Sequence, residues 1–122
     1  MKKFYKSLFF ALLGICYFLK HDRNGKIEIV IGIAVVLSGL LLRLSSAQWL
    51  IVLFCIGLVI SLEMINSAIE KYCDMVTVNY NPSIKVIKDI SAGAVLVASI
   101  ASLVIGLIIY IPAIIKFINQ VI

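Results

Sequence analysis

The sequence predicts an all-α integral membrane protein, for three reasons. Hydrophobic residues make up 63% of its 122 residues and charged residues only 14%, whereas soluble domains average about 25% charged residues. Residues 44–62 and 90–115 carry no charge at all, and a helix of about 20 apolar residues is long enough to cross a bilayer. The charges lie mainly between such segments. We therefore predict three transmembrane helices and one N-terminal amphipathic surface helix, within a single domain over 1–122.

The first predicted element is the surface helix, over about residues 2–20. It begins with lysines and continues with apolar residues, which resembles a secretory signal, but no small-residue cleavage site follows. A retained helix lying on the membrane surface fits this pattern better. The sequence HDRNGK, residues 21–26, interrupts the helix, and Asn24-Gly25 is the predicted turn.

The three predicted spans follow at about 26–43, 47–75 and 83–116. The first needs residues from 26 onward to reach the length of a span, so Glu28 lies at its interface. A second loop, TVNYNPS, covers 77–83, and Pro82 is typical of the first turn of a new helix.

The basic residues predict the orientation of the chain. Nine of the eleven precede the first span or lie between the second and the third, and only Arg43 and Lys116 fall on the other side. Because basic residues favour the cytoplasmic side, we expect the N-terminus and the 71–88 loop in the cytoplasm and the C-terminus outside. All six acidic residues lie near the same cytoplasmic end.

The segment LEMINSAIEKYCD, residues 62–74, is the strongest candidate for chemistry. On a helix, Glu63, Asn66, Glu70 and Asp74 fall within an arc of about 80°. Carboxylates that begin inside an apolar segment are costly unless a cation joins them. Oxygen-only ligands suit magnesium, and lysines nearby suit the phosphates of a nucleotide. No glycine-rich phosphate-binding motif occurs, so a nucleotide would bind without a soluble-kinase scaffold.

Other functional interpretations of the sequence have less support. Glu63 and Asn66 could join helices by hydrogen bonds in a non-enzymatic membrane protein, or line an ion path. An ion path needs polar residues through the whole bilayer, and residues 49–60 offer only Cys55 and the indole of Trp49. The net charge of +5 comes without a basic stripe interleaved with aromatics, so nucleic acid is not an expected partner.

Three motifs give a resemblance to a known family. E-x-x-N-[ST]-A-I-E-x-x-x-D is present at 63–74, K-D-x-x-[AS]-[GA]-A-V-L at 88–96, and ALLGICYFLKHDRN precedes both. Over essentially its whole length the chain resembles the small bacterial integral-membrane lipid kinases, which comprise diacylglycerol kinase and an undecaprenol kinase branch. The resemblance implies a homotrimer in the bacterial cell membrane, with sites at subunit interfaces. It also implies transfer of the γ-phosphate of ATP to the primary hydroxyl of a lipid, with Mg²⁺ as cofactor.

The resemblance also implies roles for individual residues. Glu63 is the expected general base and Asn66 positions it, while Asp22 and Glu70 are the expected magnesium ligands. Contacts with the nucleotide are expected from Lys88 and Asp89, and less strongly from Lys3, Tyr80 and Asn81. Glu28 and Asp74 are supporting candidates.

The chain departs from the family pattern at three positions, where Asp22 replaces Glu, Gly25 replaces a bulky residue and loosens the turn, and Phe10 lacks a hydroxyl. The residues present in the second and third motifs favour undecaprenol as substrate. Diacylglycerol, which would give phosphatidic acid, is the alternative.

Overall fold

The computed structural model describes residues 1–122 and contains four helices and no strand. They are α1 (Lys2–His21), α2 (Arg23–Leu42), α3 (Ser46–Val76) and α4 (Pro82–Val121). The last three are long and apolar enough to cross a membrane. The prediction of an all-helical protein with three candidate spans is therefore confirmed. At 1.5 Å per residue, α2 is about 30 Å long and α4 about 60 Å.

The junction between α1 and α2 is a single residue, Asp22. Its N–H donates to the carbonyl of Phe18 at the end of α1, and its Oδ1 accepts from the N–H of Gly25, 2.7 Å away, at the start of α2. The prediction of a turn at Asn24-Gly25 is wrong, because both residues lie in the first turn of α2. A Cβ on Gly25 would lie 2.6 Å from Cε2 of Phe18. Gly25 therefore makes room for the Phe18 ring and does not loosen a turn.

Three buried glycines, seven residues apart, line the packing face of α2: Gly25, Gly32 and Gly39. A Cβ on Gly32 would lie 3.3 Å from Cγ2 of Ile56, and one on Gly39 would lie 2.8 Å from Cη2 of Trp49. Because the glycines lack side chains, α2 approaches α1 and α3 closely, as small residues allow in membrane helices.

The turn between α2 and α3 is short, and several of its backbone groups are hydrogen-bonded within it. Arg43 adopts the left-handed conformation (φ 55°, ψ 56°), and its N–H donates to the carbonyls of Gly39 and Leu40. Ser45 then opens α3 with a capping box. Its Oγ accepts from the N–H of Gln48 at 3.3 Å, and its N–H donates to Oε1 of Gln48 at 2.9 Å.

Helix α4 packs along α3 over much of its length. Its start agrees with the prediction, since Pro82 lies in the first turn and the Asn81 side chain accepts from the N–H groups of Ser83 and Ile84. Farther along, the Tyr110 hydroxyl donates to the carbonyl of Val35 at 2.7 Å and ties α4 to α2. A small apolar cluster of Leu44, Val52 and Ile109 lies at this end of the bundle.

Candidate active site

A cleft between α2, α3 and α4 brings four of the eleven predicted site residues together. Its volume is about 330 Å³, and its lining residues are Asn24, Ile27, Glu28, Glu63, Asn66, Glu70, Ala92, Val95, Leu96 and Ser99. Glu63, Asn66 and Glu70 of α3 therefore face one concave surface together with Glu28 of α2. The first turn of α2 and the middle of α4 complete its walls.

The deepest polar residues of the cleft are held by α3 and α4 together. Glu63 is 3% exposed and Asn66 is 6% exposed. The Ser91 hydroxyl of α4 donates to Oδ1 of Asn66 at 2.6 Å, in a buried hydrogen bond. This contact occupies the amide oxygen and leaves the amide NH₂ group of Asn66 to donate. Ser91 is at a variable position of the second motif, and the sequence did not indicate its role.

Asp22 does not line the cleft, but its side chain is hydrogen-bonded to the chain neighbours of Asn24 and Asn66, which do. Its Oδ1 caps α2 through Gly25, and its Oδ2 accepts a hydrogen bond from the hydroxyl of Ser67. Ser67 directly follows Asn66 in α3, so the pair joins the α1–α2 junction to the central motif. The hydroxyl residue at this motif position is the signal that could have indicated the contact.

The residues predicted to bind nucleotide do not gather at the cleft within one chain. Lys88 pairs with Asp74 of α3, and Asp89 pairs with Lys85 of the same helix, both at 2.6 Å. Lys3 is exposed in the first turn of α1 and Tyr80 is exposed in the loop 77–81. The side chain of Asn81 caps α4. None of these side chains lines the cleft.

An aromatic contact holds α1 against α3. The ammonium group of Lys71 lies 4.3 Å from the centroid of the Tyr17 ring and donates to its hydroxyl. On its other side the Tyr17 ring stacks on His21 with 4.1 Å between centroids. These contacts, which the sequence did not indicate, fix the end of α1 next to Asp22.

The cleft is acidic and has no protein cation of its own. Glu28, Glu63 and Glu70 line it without any lysine or arginine, and the two ion pairs of the chain lie elsewhere. Oε2 of Glu28 is buried and has no hydrogen-bond partner. Buried carboxylates are costly unless a cation neutralises them. The cleft is therefore suited to bind a cation from solution.

Comparison with known proteins shows the family to which the chain belongs. A family model described as prokaryotic diacylglycerol kinase matches residues 9–110. The chain belongs to this family. It is 38% identical over 112 residues to an undecaprenol kinase of Bacillus subtilis, covering 92% of this chain and 91% of that one. It is 35% identical over 101 residues to a diacylglycerol kinase of Synechocystis, covering 82% of this chain and 58% of that one. The prediction of a membrane lipid kinase is confirmed.

The residues of this lipid kinase fit the magnesium ion that such a reaction implies. The donors in and beside the cleft are carboxylate and amide oxygens, which magnesium prefers. No group of three or more acidic, histidine or cysteine side chains is close enough to hold a metal ion alone. This suits an ion that takes one or two carboxylates and completes its shell with water and substrate phosphates.

Proposed function

We propose that this lipid kinase transfers the γ-phosphate of ATP to the primary hydroxyl of undecaprenol, giving undecaprenyl phosphate. The observation that carries the proposal is the acidic cleft, where Glu28, Glu63, Asn66 and Glu70 converge without a basic side chain. The likeness to an undecaprenol kinase over more than nine-tenths of both chains supports the substrate.

Glu63 is the general base of the proposed reaction. Its carboxylate takes the proton of the lipid hydroxyl while the hydroxyl oxygen bonds to the γ-phosphorus. The bond from that phosphorus to the bridging oxygen breaks, and ADP leaves with the electron pair. Asn66, with its carbonyl held by Ser91, donates its NH₂ group toward the hydroxyl or the base. Burial keeps both groups fixed, as positioning in phosphoryl transfer requires.

The proposed magnesium ligands are Glu70 and Asp22, and the ion supplies charge neutralisation for the phosphates when bound. Asp22 already accepts two hydrogen bonds, but a carboxylate has about four lone-pair sites and retains capacity for a metal. Glu28, with a buried oxygen that lacks a partner, is a supporting donor in the same cleft.

We propose that the nucleotide is bound between subunits of a homotrimer. The proposed contacts are Lys88, Asp89, Lys3, Tyr80 and Asn81, which lie outside the cleft of their own chain. A neighbouring subunit could bring these groups to the cleft. The exposed apolar faces of the helices are compatible with such an assembly and with surrounding lipid.

The proposed topology puts the N-terminus and the cleft in the cytoplasm, where ATP is available, and the C-terminus outside. The nine basic residues near the cleft end of the bundle support it, against two at the other end. Helix α1 then lies on the membrane surface, with its lysines toward the lipid headgroups.

Diacylglycerol is the second candidate substrate. It also presents a primary hydroxyl at the interface, and the Synechocystis relative is a diacylglycerol kinase. Purified protein in detergent micelles, incubated with labelled ATP, Mg²⁺ and each lipid separately, distinguishes the two. We expect labelled undecaprenyl phosphate, and no label transfer when a chelator removes Mg²⁺. Product from diacylglycerol alone would replace the proposed substrate, and no product from either lipid with folded protein would reject the kinase mechanism.

A further inference from the structure

A second cavity adjoins the acidic cleft in the apolar part of the bundle. Its volume is about 470 Å³, and it lies on α3 between α2 and α4. Glu28 and Ser99 line both this cavity and the cleft, so the two are adjacent. Away from the cleft, Tyr110 and Val35 both line the cavity, and the hydrogen bond between them ties α4 to α2. We call it the apolar groove.

We propose that the apolar groove binds the first isoprene units of the lipid alcohol whose hydroxyl is presented to Glu63. This inference rests on the proposed kinase function and specifies which part of the substrate the enzyme recognises. A primary alcohol at the junction near Glu28 would have its hydroxyl in the polar cleft and its hydrocarbon chain in the groove. The observation that supports this arrangement is that the two cavities share Glu28 and Ser99 in their linings.

The dimensions of the groove fit a single chain of about three isoprene units. Along α4, the distance from Ser99 at the mouth to Tyr110 at the far end is about 16 Å at 1.5 Å per residue. Three extended backbone bonds span roughly 3.5 Å, so the four chain bonds of an isoprene unit span roughly 4.7 Å. The cavity volume is within the range of about 300–1,000 Å³ that small-molecule sites occupy.

The same dimensions disfavour the other occupants of an intramembrane groove. A helix from a second copy of the chain is about 10 Å across with its side chains. Such a helix is too bulky to fit inside a cavity with a volume of about 470 Å³. Diacylglycerol carries two acyl chains, and only one could enter. Because bilayer tails are as apolar as the groove, selection of the occupant depends on shape and packing rather than on hydrophobicity.

Gly106 keeps the middle of the groove open. It lines the groove, and a Cβ built on it would meet no atom within 4 Å. A leucine at this position would therefore have space for its Cβ, and its side chain would enter the groove. Gly106 lies seven residues beyond Ser99, so the leucine side chain would block the groove about 10 Å from its mouth. Two isoprene units would fit in front of the block and a third would not.

The test is kcat/KM for prenols of two, three and four isoprene units, in the same micelles, with wild type and Gly106→Leu. For wild type we expect kcat/KM to rise up to about three units and then to remain level. Gly106→Leu should lower kcat/KM for three units and longer by about tenfold, as loss of apolar contacts in a pocket does. Turnover of the two-unit alcohol should stay close to wild type, which also shows that the variant is folded.

Gly57→Leu is the matched control, because Gly57 is an exposed glycine of α3 with nothing within 4 Å of its Cβ and lies outside both cavities. It should keep the wild-type dependence on chain length. If Gly106→Leu loses turnover of every alcohol, Ser102→Leu provides the second variant. Ser102 lines the groove one turn from Ser99, so a leucine there leaves room for about one unit, and kcat/KM should not rise between two and four units.

An unchanged dependence on chain length in both groove variants would overturn the inference, as would the same shift in Gly57→Leu. A changed oligomeric state of Gly106→Leu with no change in this dependence would identify the groove as a subunit interface and also overturn it. If wild type phosphorylates diacylglycerol but no prenol, the proposed substrate fails, and the groove assignment fails with it.

Discussion

Two serine hydroxyls organise the central motif at the level of single residues. Ser91 fixes the amide of Asn66 from α4, and Ser67 fixes the carboxylate of Asp22 from α3. Each is a short side chain on a rigid helix, so it can hold its partner with little loss of conformational entropy. Asn66 in the cleft and Asp22 beside it are therefore positioned by neighbours that carry no charge.

The first prediction concerns Glu63. Glu63→Gln keeps the shape of the side chain and removes the base, so turnover should fall by about 10² to 10⁴-fold. Affinity for ATP should stay within about twofold, because Glu63 contacts the lipid hydroxyl in the proposed mechanism and not the nucleotide. Steady-state kinetics and equilibrium binding of ATP measure the two effects. Equal losses in rate and in ATP affinity would contradict the role as general base.

The second prediction concerns Ser67. Ser67→Ala removes the hydrogen bond to Asp22, so the carboxylate should lose its fixed orientation and the Mg²⁺ concentration at half-maximal rate should rise about threefold to tenfold. Ser67→Thr retains a hydroxyl and should restore the wild-type Mg²⁺ titration. If alanine and threonine give the same titration as wild type, Asp22 does not act on the metal through this contact.

The third prediction separates Lys88 from its partner. Asp74→Asn frees the ammonium group of Lys88 from its ion pair, so affinity for ATP should be unchanged or higher. Lys88→Met removes the charge and should weaken ATP binding by about tenfold, the value of a charge-assisted hydrogen bond to phosphate. Calorimetry of ATP binding measures both. Equal weakening in the two variants would mean that the pair acts only as a link between α3 and α4.

As the sequence predicted, three polar residues of α3 lie on one face and line one cleft. The spacing of Glu63, Asn66 and Glu70 is local to one helix, so helical geometry alone is enough to bring them to one face. The surroundings of Lys88 and Asp89 depend on which side chains α3 and α4 bring together, and a linear sequence does not contain that information. The roles of Ser67 and Ser91 were missed for the same reason.

At the level of helices, the sequence indicated each element but misjudged some ends. Asp22 alone separates α1 from α2, because it satisfies the end of one helix with its N–H and the start of the next with its carboxylate. Gly25, which in sequence favours a turn, is helical, and the Phe18 ring occupies the space that a side chain there would fill. Helix α4 continues past Lys116 to Val121, since no helix-breaking residue follows.

The fourth prediction is an order of stability among alanine variants of the glycines. Gly25→Ala should lower the free energy of unfolding by about 1–3 kcal/mol, because the buried Phe18 ring must move. Gly57→Ala meets no atom and should instead gain up to about 1 kcal/mol from helix propensity. Gly32→Ala, with one contact at 3.3 Å, should fall between them. Thermal unfolding in one detergent measures this order.

Phe18→Leu in the Gly25→Ala background provides the check on the mechanism. A smaller side chain should relieve the contact and recover part of the lost stability, which additive effects of two independent sites would not do. If the double variant is less stable than either single variant by the sum of their effects, the Phe18–Gly25 contact is not the cause.

For the whole molecule, the main feature is that one chain buries very little of itself. Only 13 of 122 residues are buried, and large apolar side chains are exposed along all four helices. In a membrane, lipid would cover these surfaces, together with neighbouring copies in the proposed trimer. The proposed site is shared in the same way, since one chain supplies the acidic cleft and leaves Lys88 outside it.

The fifth prediction tests whether subunits share a site. At ATP concentrations well below the Kd, Glu63→Gln alone should be almost inactive and Lys88→Met alone should keep about a tenth of the wild-type rate. If each site takes Glu63 from one subunit and Lys88 from the next, an equal mixture assembled at random should recover about a quarter of the wild-type rate. The rate after unfolding and reassembly of the mixture is the measurement, and separately assembled variants mixed afterwards are the control. No recovery in a reassembled, folded mixture would assign both residues to one subunit.

The turn between α2 and α3 bears on how the chain enters a membrane. Several of its backbone groups are hydrogen-bonded within the turn, through Arg43 and the Ser45–Gln48 capping box, and Arg43 is its one charged side chain. Carrying one arginine through the hydrocarbon costs about 3 kcal/mol on insertion scales, far less than the charge-rich segments at the opposite end would cost. During biosynthesis, α2 and α3 can therefore insert together as a hairpin, with no hydrophilic domain to translocate.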